Sequence, residues 1–321
     1  MKFNNEISQG VNPNKKKGIL RDEPTLDEFY ELYIKRYGLG HKSKSTLLEN
    51  TRQYKSYFQK LHKRKLSEIE NDTLIDLHSY IKENHGLYGA NRALSLLQGI
   101  FNKAIEWGWE GKNPAQGIKK FKEKSRDRFL QGDELPKFWD AVVQETNIAA
   151  RDYIILSLLT GARKGNTLAM CWDDVYLERM EWKIPETKNG ESLTIPLSPE
   201  AIMILEARKK ESTCKWVFPS PTSKSGHIED PKKAWKRILA RAEIKDLRLH
   251  DLRRTLGSWQ AATGSTMPVI GKTLGHKNQN TTAIYARLNL DPVRLPVNRA
   301  TDAMIGTLGN NSLMKKLNLG K

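Results

Sequence analysis

Residues 249–288 read LHDLRRTLGSWQAATGSTMPVIGKTLGHKNQNTTAIYARL, and this stretch sets how the rest of the chain is read. Helices are expected over Leu252–Ala262 and Met267–Leu274. The glycine after Leu274 is a helix-stop signal, and a further helix then carries Tyr285. His250 and Arg253 are three apart at a helix start, so both can point to one side.

Upstream, further helices are expected around Gly132–Val143, Ile148–Leu159, Pro199–Arg208 and Pro231–Ala242. Met180–Ile184 and Leu193–Pro196 read as two short strands joined through Lys188-Asn189-Gly190, a turn signal. Residues 129–295 are therefore expected to form a mostly helical unit with a small sheet. Residues 25–117 are expected to be all-helical. Leu26, Phe29, Tyr30 and Tyr33 recur at helical steps, as do Tyr54, Tyr57, Phe58 and Leu61, and then Leu94, Leu97, Phe101 and Ile105. Breaks near Gly38–Gly40, Lys65–Asn71, Gly86–Gly89 and Gly108–Pro114 give four helices. The fold class is mainly α with a small β-sheet, an α+β arrangement.

Between these units, residues 118–128 carry the charge run Lys119–Arg128, which has no apolar period and reads as a basic, exposed linker. Residues 1–24 read as a polar arm. In the tail, 296–321, Ala300, Met304 and Leu308 recur at four-residue spacing with Ile305 beside them, after Pro292 and Pro296. A short amphipathic helix is expected there, able to dock on its own chain or on a neighbour.

The 321 residues include 54 Lys and Arg against 37 Asp and Glu, a formal charge of +17. The pI is about 9.7. Such a surplus points to a polyanion partner, most simply a nucleic acid, and by itself names no chemistry. The cysteines, Cys171 and Cys214, sit in no CxxC or Cys/His cluster, so neither a disulfide scaffold nor a metal site is expected. Cys171 is expected to be buried. The N-terminus has no apolar signal segment, and the longest strongly apolar run, Tyr153–Leu159, is too short to span a bilayer. A cytoplasmic protein is expected.

Four patches could carry chemistry. They are Thr160-Gly161-Ala162-Arg163, Thr187-Lys188-Asn189-Gly190, His250-Asp251-Leu252-Arg253, and Leu274-Gly275-His276 with Tyr285 nine residues on. Singly each is weak. A TGxR tetrad can be a mere helix end, and a hairpin lysine is usually solvated. A tyrosine between Ile284 and Ala286 is by default a packing residue. All of them together, in this order and at these intervals, are specific.

The set Arg163, Lys188, His250, Arg253, His276 and Tyr285 resembles the active-site signature of tyrosine recombinases, nearest to integrases of temperate phages and genomic islands. The resemblance covers residues 25–295 and is strongest over Thr160–Trp172 and Leu249–Leu288. It implies a SAM-like, helical core-binding domain over 25–117 and a catalytic domain over 129–295, closing on DNA as a C-shaped clamp. It implies a site-specific recombinase or integrase that cuts and rejoins double-stranded DNA through a 3′-phosphotyrosine, needing no cofactor, metal or ATP. A homo-tetramer on paired recombination sites, with accessory bending or excision factors, is the implied assembly.

The residue types suit that chemistry. Breaking a phosphodiester without metal needs a nucleophile, neutralisation of the phosphate charge and an acid for the leaving oxygen. A phenol with a pKa of ~10 is ionised in only about one molecule in a thousand at pH 7, a deficit of roughly 4 kcal/mol that nearby cations and a proton acceptor must offset. Arg163 and Arg253 would grip two non-bridging oxygens, since a guanidinium fork stays charged. His276 would donate to the same phosphate, His250 would manage the phenol proton, Lys188 would protonate the leaving 5′-oxygen, and Tyr285 would attack. Two features depart from the family pattern. Asn166 stands where an acidic residue is usual three places after the first arginine, so Arg163 is expected to be held less firmly and activity reduced. Only a short arm precedes the core, and Gln9-Gly10-Val11-Asn12-Pro13 resembles the end of an arm-binding domain of which 1–24 would be a remnant. Competing readings are a type IB topoisomerase-like strand-passage enzyme, a catalytically weakened DNA-binding regulator, and a metal-dependent nuclease built on Asp173-Asp174.

Overall fold

A computed structural model describes residues 22–185, 191–288, 297–301 and 303–304. The chain divides into two units between Ser125 and Arg126.

In the first unit, α1 (Leu26–Tyr33) opens on a capping box. The Thr25 backbone N–H donates to Glu28 Oε2 at 2.8 Å, and the Glu28 N–H donates to Thr25 Oγ1 at 3.3 Å. Leu26, Phe29, Tyr30 and Tyr33 are all buried, as their spacing predicts. A π-turn over Ile34–Gly38 follows, then α2 (Lys44–Tyr57), α3 (Asn71–His85) and α4 (Leu87–Glu106). Tyr54, Phe58, Leu74, Ile81, Leu94, Leu97 and Phe101 fill the space between them. Ile105, expected inside, is 42% exposed, because the helix turn brings Ala104 to the inner face instead.

The segment after α4 is anchored rather than free. Phe121 stacks on His78 with ring centroids 4.3 Å apart, and its N–H donates to Asn91 Oδ1 at 2.9 Å. Tyr88 donates to the Lys124 carbonyl at 2.9 Å. The one aromatic in a run of charges is thus what lays it down along α3 and α4.

The second unit is built around α6 (Ile148–Thr160), buried on nearly every side, as suits a helix apolar all round. Around it lie α5 (Glu134–Val143), the short α7 (Lys164–Leu168), α8 (Pro199–Lys210), α9 (Lys232–Arg241), α10 (Leu249–Ala262), α11 (Met267–Leu274) and α12 (Gln279–Leu288). A three-stranded antiparallel sheet, β1 (Val175–Tyr176), β2 (Glu181–Ile184) and β3 (Leu193–Pro196), runs in the order β1-β2-β3. Trp182 faces Ile195 across it, and both point into the main core with Phe138, Tyr153 and Phe218. Met180, expected in the strand, has φ of 53° and closes the preceding turn by donating to the Leu177 carbonyl at 3.0 Å, so β2 starts one residue later. A second, smaller apolar cluster of Ala261, Ile270, Leu274 and Tyr285 joins α10, α11 and α12.

Cys171 is half-buried rather than buried, and Cys214 is exposed. Residues 297–301 and 303–304 are helical, with Met304 64% exposed. Ile305 and Leu308 lie outside the described residues. Among those residues no helix is long and apolar enough to cross a membrane.

Candidate active site

The site grows from two helix ends. Helix α6 stops at Thr160, and Gly161 takes the left-handed conformation (φ 58°, ψ 15°) that ends it. Helix α11 stops the same way at Gly275 (φ 60°, ψ 52°). There the His276 N–H reaches back to the Gly271 carbonyl at 2.9 Å and the Gly275 N–H to Lys272 at 3.1 Å, the paired bonds of a Schellman motif. Leucine side chains also crowd both stops. A Cβ at Gly161 would lie 2.8 Å from Leu256 and Leu274 carbons, and one at Gly275 would lie 2.6 Å from Leu193 Cδ2.

Both arginines attach to the carbonyls that these endings leave. Arg253 donates through Nη1 to the Gly161 carbonyl at 2.7 Å and through Nη2 to the Leu274 carbonyl. Arg163 donates through Nη2 to the Gly275 carbonyl at 3.1 Å. The two guanidinium groups therefore meet on consecutive peptide units, at the negative ends of two helix dipoles. Their bonds leave capacity over: Arg163 Nη1 is buried without a hydrogen-bond partner among the described residues. Burial, and then the charge of Arg163, push the Arg253 pKa down to about 10, so Arg253 stays cationic at neutral pH.

His250 and Arg253 share the first turns of α10, set by the buried carboxylate between them. Asp251 is 0% exposed. It accepts from the Arg248 N–H at 2.8 Å, from Arg126 at 2.8 to 3.2 Å and from Arg254 at 2.6 Å. Burial alone would raise its pKa, but the bonds from Arg126, Arg248 and Arg254 outweigh burial and hold it below the ordinary range. His250 lies exposed on the rim. Partial desolvation of its ring, and then Arg254 and Arg253, lower its pKa against the pull of Asp251.

His276 is half-buried, with Nδ1 2.9 Å from Thr282 Oγ1. Burial, followed by the charges of Arg253, Arg163 and His250, brings its pKa down to about 4. Its ring lies nearly parallel to that of Tyr285, at 4°, with centroids 6.1 Å apart. Tyr285 itself is 3% exposed. Its ring lies so close to Gly257 of α10 that a Cβ there would fall 2.7 Å from Cε1. Burial raises the phenol pKa, and Arg253 and Arg254 act against that rise.

Five of the six residues singled out from the sequence thus act on one another: Arg163, His250, Arg253, His276 and Tyr285. The tyrosine is seated in a small apolar cluster at the edge of the cations, not displayed on the surface. Lys188 lies outside the described residues. Among the described residues, Leu193 of β3 packs on Gly275 and Lys277 pairs with Glu191 at 2.8 Å. Asn166 sits in α7 with its Nδ2 buried and unpartnered among the described residues, like Arg163 Nη1. The sequence reading missed Asp251 with Arg126, Gly257 and Thr282. The first pair is 125 residues apart and left no local signal. Thr282 stands three residues before Tyr285, a helical spacing that puts both on one face.

A family model described as the phage integrase family matches residues 128–291, half of the chain. The prophage integrase IntF of Escherichia coli (strain K12) is 33% identical over 156 residues, which cover 47% of this chain and 33% of that protein. The shufflon-specific DNA recombinase of Escherichia coli is 32% identical over 203 residues, covering 61% of this chain and 50% of that one. The chain thus spans between a third and a half of the length of these curated relatives. The crystal structure of a lambda integrase tetramer bound to a Holliday junction superposes with a TM-score of 0.68 at 19% identity, over 88% of this chain and 83% of that one. At that identity the likeness is one of fold. Taken with the matched region, which contains every residue of the cation cluster, these findings mean that the chain belongs to the phage integrase family.

Proposed function

We propose that the protein is a site-specific DNA recombinase that cuts and rejoins strands through a 3′-phosphotyrosine. The observation that carries this is the meeting of two guanidinium groups on the consecutive carbonyls of Leu274 and Gly275, with Arg163 Nη1 left over and the Tyr285 ring beside them. Like charges gathered in a partly dehydrated site repel, and a phosphate between them would relieve that repulsion.

In the first step the Tyr285 oxygen bonds to phosphorus while the bond from phosphorus to the 5′-oxygen breaks. Arg163 and Arg253 hold the non-bridging oxygens, His276 donates to one of them, His250 takes the phenol proton, and Lys188 gives a proton to the leaving 5′-oxygen. In the second step the 5′-hydroxyl of a partner strand attacks the phosphotyrosine, and the proton transfers run backwards. The phosphodiester energy is kept in the adduct, so rejoining needs no ATP.

The partner is double-stranded DNA, which the +17 charge suits. A homo-tetramer on paired sites is the working assembly, by analogy with the lambda integrase tetramer on its junction. Residues 25–117 serve as the core-binding domain, 118–128 as its basic connection, 129–295 as the catalytic domain, and 296–321 as a protomer-docking tail. The protein works in the cytoplasm.

The test is a suicide substrate carrying a candidate attachment site, resolved on a denaturing gel. Wild type should form an EDTA-resistant covalent adduct whose linked peptide maps to Tyr285. Tyr285→Phe should bind DNA nearly as well and form none. An adduct that persists in Tyr285→Phe would refute the assignment.

A further inference from the structure

We propose that Thr282 is a positioning residue that fixes the imidazole of His276 with its proton on Nε2, so that a neutral histidine can donate to the scissile phosphate. This rests on the recombinase reading above and adds to it a residue that reading does not use.

The contact is specific. Thr282 is 2% exposed, and its Oγ1 stands 2.9 Å from His276 Nδ1. The hydroxyl is confined on its other side by Gly271, where a Cβ would fall 3.1 Å from it. Gly271 also supplies the carbonyl that accepts from the His276 N–H, so one residue positions both the backbone and the side-chain partner of the histidine. Thr282 and Tyr285 are three residues apart on α12 and share a face of it. The helix that presents the nucleophile therefore also grips the histidine whose ring lies parallel to that nucleophile.

The chemistry follows from the hydrogen-bond inventory. A neutral imidazole has one N–H and one bare nitrogen, and which is which depends on the partner of each. Burial and the surrounding cations favour the neutral ring. A neutral ring can donate to a phosphate oxygen through Nε2 only if Nδ1 is the acceptor, and a hydroxyl can supply the proton that Nδ1 then needs. A carboxylate in the same place could not, since it only accepts. Threonine also tolerates the reverse. If the ring becomes cationic on the phosphate, the same oxygen accepts from Nδ1–H, and the ring keeps its place.

The experiment uses the full chain. Imidazole ¹⁵N spectra of the DNA-free protein at neutral pH, with His276→Gln to assign the signal, report which nitrogen is protonated. Wild type and Thr282→Ser should carry the proton on Nε2 and form the covalent adduct at similar rates. Thr282→Val, which keeps the shape and removes the hydroxyl, should lose the tautomer preference and form adduct about tenfold more slowly. That is less than the roughly 10²–10³-fold that removing a transition-state donor outright costs, because the donor stays and only its orientation is lost. Circular dichroism checks that the valine variant folds, and the wild-type spectrum stands even if it does not. A wild-type proton on Nδ1, or a folded Thr282→Val that forms adduct at the wild-type rate, would overturn the assignment. A wild type that forms no adduct at all would count against recombination, whereas the tautomer is read without DNA and is decided separately.

Discussion

A single methyl group added at Gly257 should slow the nucleophile without weakening the grip on DNA. The built Cβ lies 2.7 Å from Tyr285 Cε1, 2.8 Å from Cζ and 3.0 Å from Leu274 Cδ1. Carbon atoms rest about 3.5–4.0 Å apart, so in Gly257→Ala the ring must retreat by roughly 0.8 Å or more. Overpacking of this kind costs about 1–3 kcal/mol, against up to ~1 kcal/mol regained from the better helix former. The melting temperature should fall by only a few degrees, at about 2–4 °C per kcal/mol for a unit of this size. The effect on chemistry should be far larger, since a displacement of ~1 Å at a reacting group can cost about 10²-fold. The guanidinium forks are held on the backbone carbonyls of Gly161, Leu274 and Gly275, so binding measured by mobility shift should stay within about twofold of wild type. Single-turnover adduct formation on a suicide substrate gives the rate. An adduct forming as fast as in wild type, or faster, would refute the idea that the observed seat of Tyr285 is close to its attacking position. Equal loss of binding and cleavage would refute the separation between clamp and nucleophile.

Three further outcomes follow from the site. Asn166→Asp should raise the rate of adduct formation several-fold. It would exchange the buried, unpartnered donor Asn166 Nδ2 for an acceptor three residues from the likewise unpartnered Arg163 Nη1, and a charged hydrogen bond is worth about 1.5–3 kcal/mol. A slower variant would count against a loosely held Arg163. DNA affinity should fall about 10³-fold or more between 50 and 200 mM salt if six or more phosphates are contacted, and a flat titration would contradict backbone clamping. The last concerns pH. The folded pKa of His276, about 4, lies below the unfolded value near 6.5, so between these values the unfolded chain binds more protons. The stability that His276 contributes is present above pH ~6.5 and is lost as pH falls towards ~4, a difference of roughly 3 kcal/mol. His276→Gln should therefore lose less stability than wild type across that window, and parallel melting curves would disprove the depressed pKa.

What the sequence disclosed depended on whether the signal was local. The helix endings at Thr160-Gly161 and Leu274-Gly275 were legible because a left-handed stop favours glycine at a fixed place. His250 and Arg253 were legible as one face of a helix start. The carbonyl moorings of Arg163 and Arg253 were not, because they depend on α6 and α11 ending side by side, which no spacing encodes. The Asp251 brace needs Arg126 from far upstream, and the charge run around Arg126 read as a solvated linker. Phe121 was overlooked in the same run, because one aromatic without a period cannot reveal its stacking partner His78. Tyr285 was expected to face the phosphate. Its 3% exposure reflects the apolar cluster formed by α10, α11 and α12, which exists only once those three helices have met.

The mooring of Arg163 and Arg253 on peptide oxygens has a practical outcome at the bench. Among the described residues no carboxylate neutralises either group, so an incoming oxyanion has no resident rival to evict. Any small tetrahedral dianion in the buffer is then a competitor for the same seat. Sulfate or inorganic phosphate should inhibit cleavage more than chloride does at matched ionic strength, and recombination assays on this protein belong in buffers free of both.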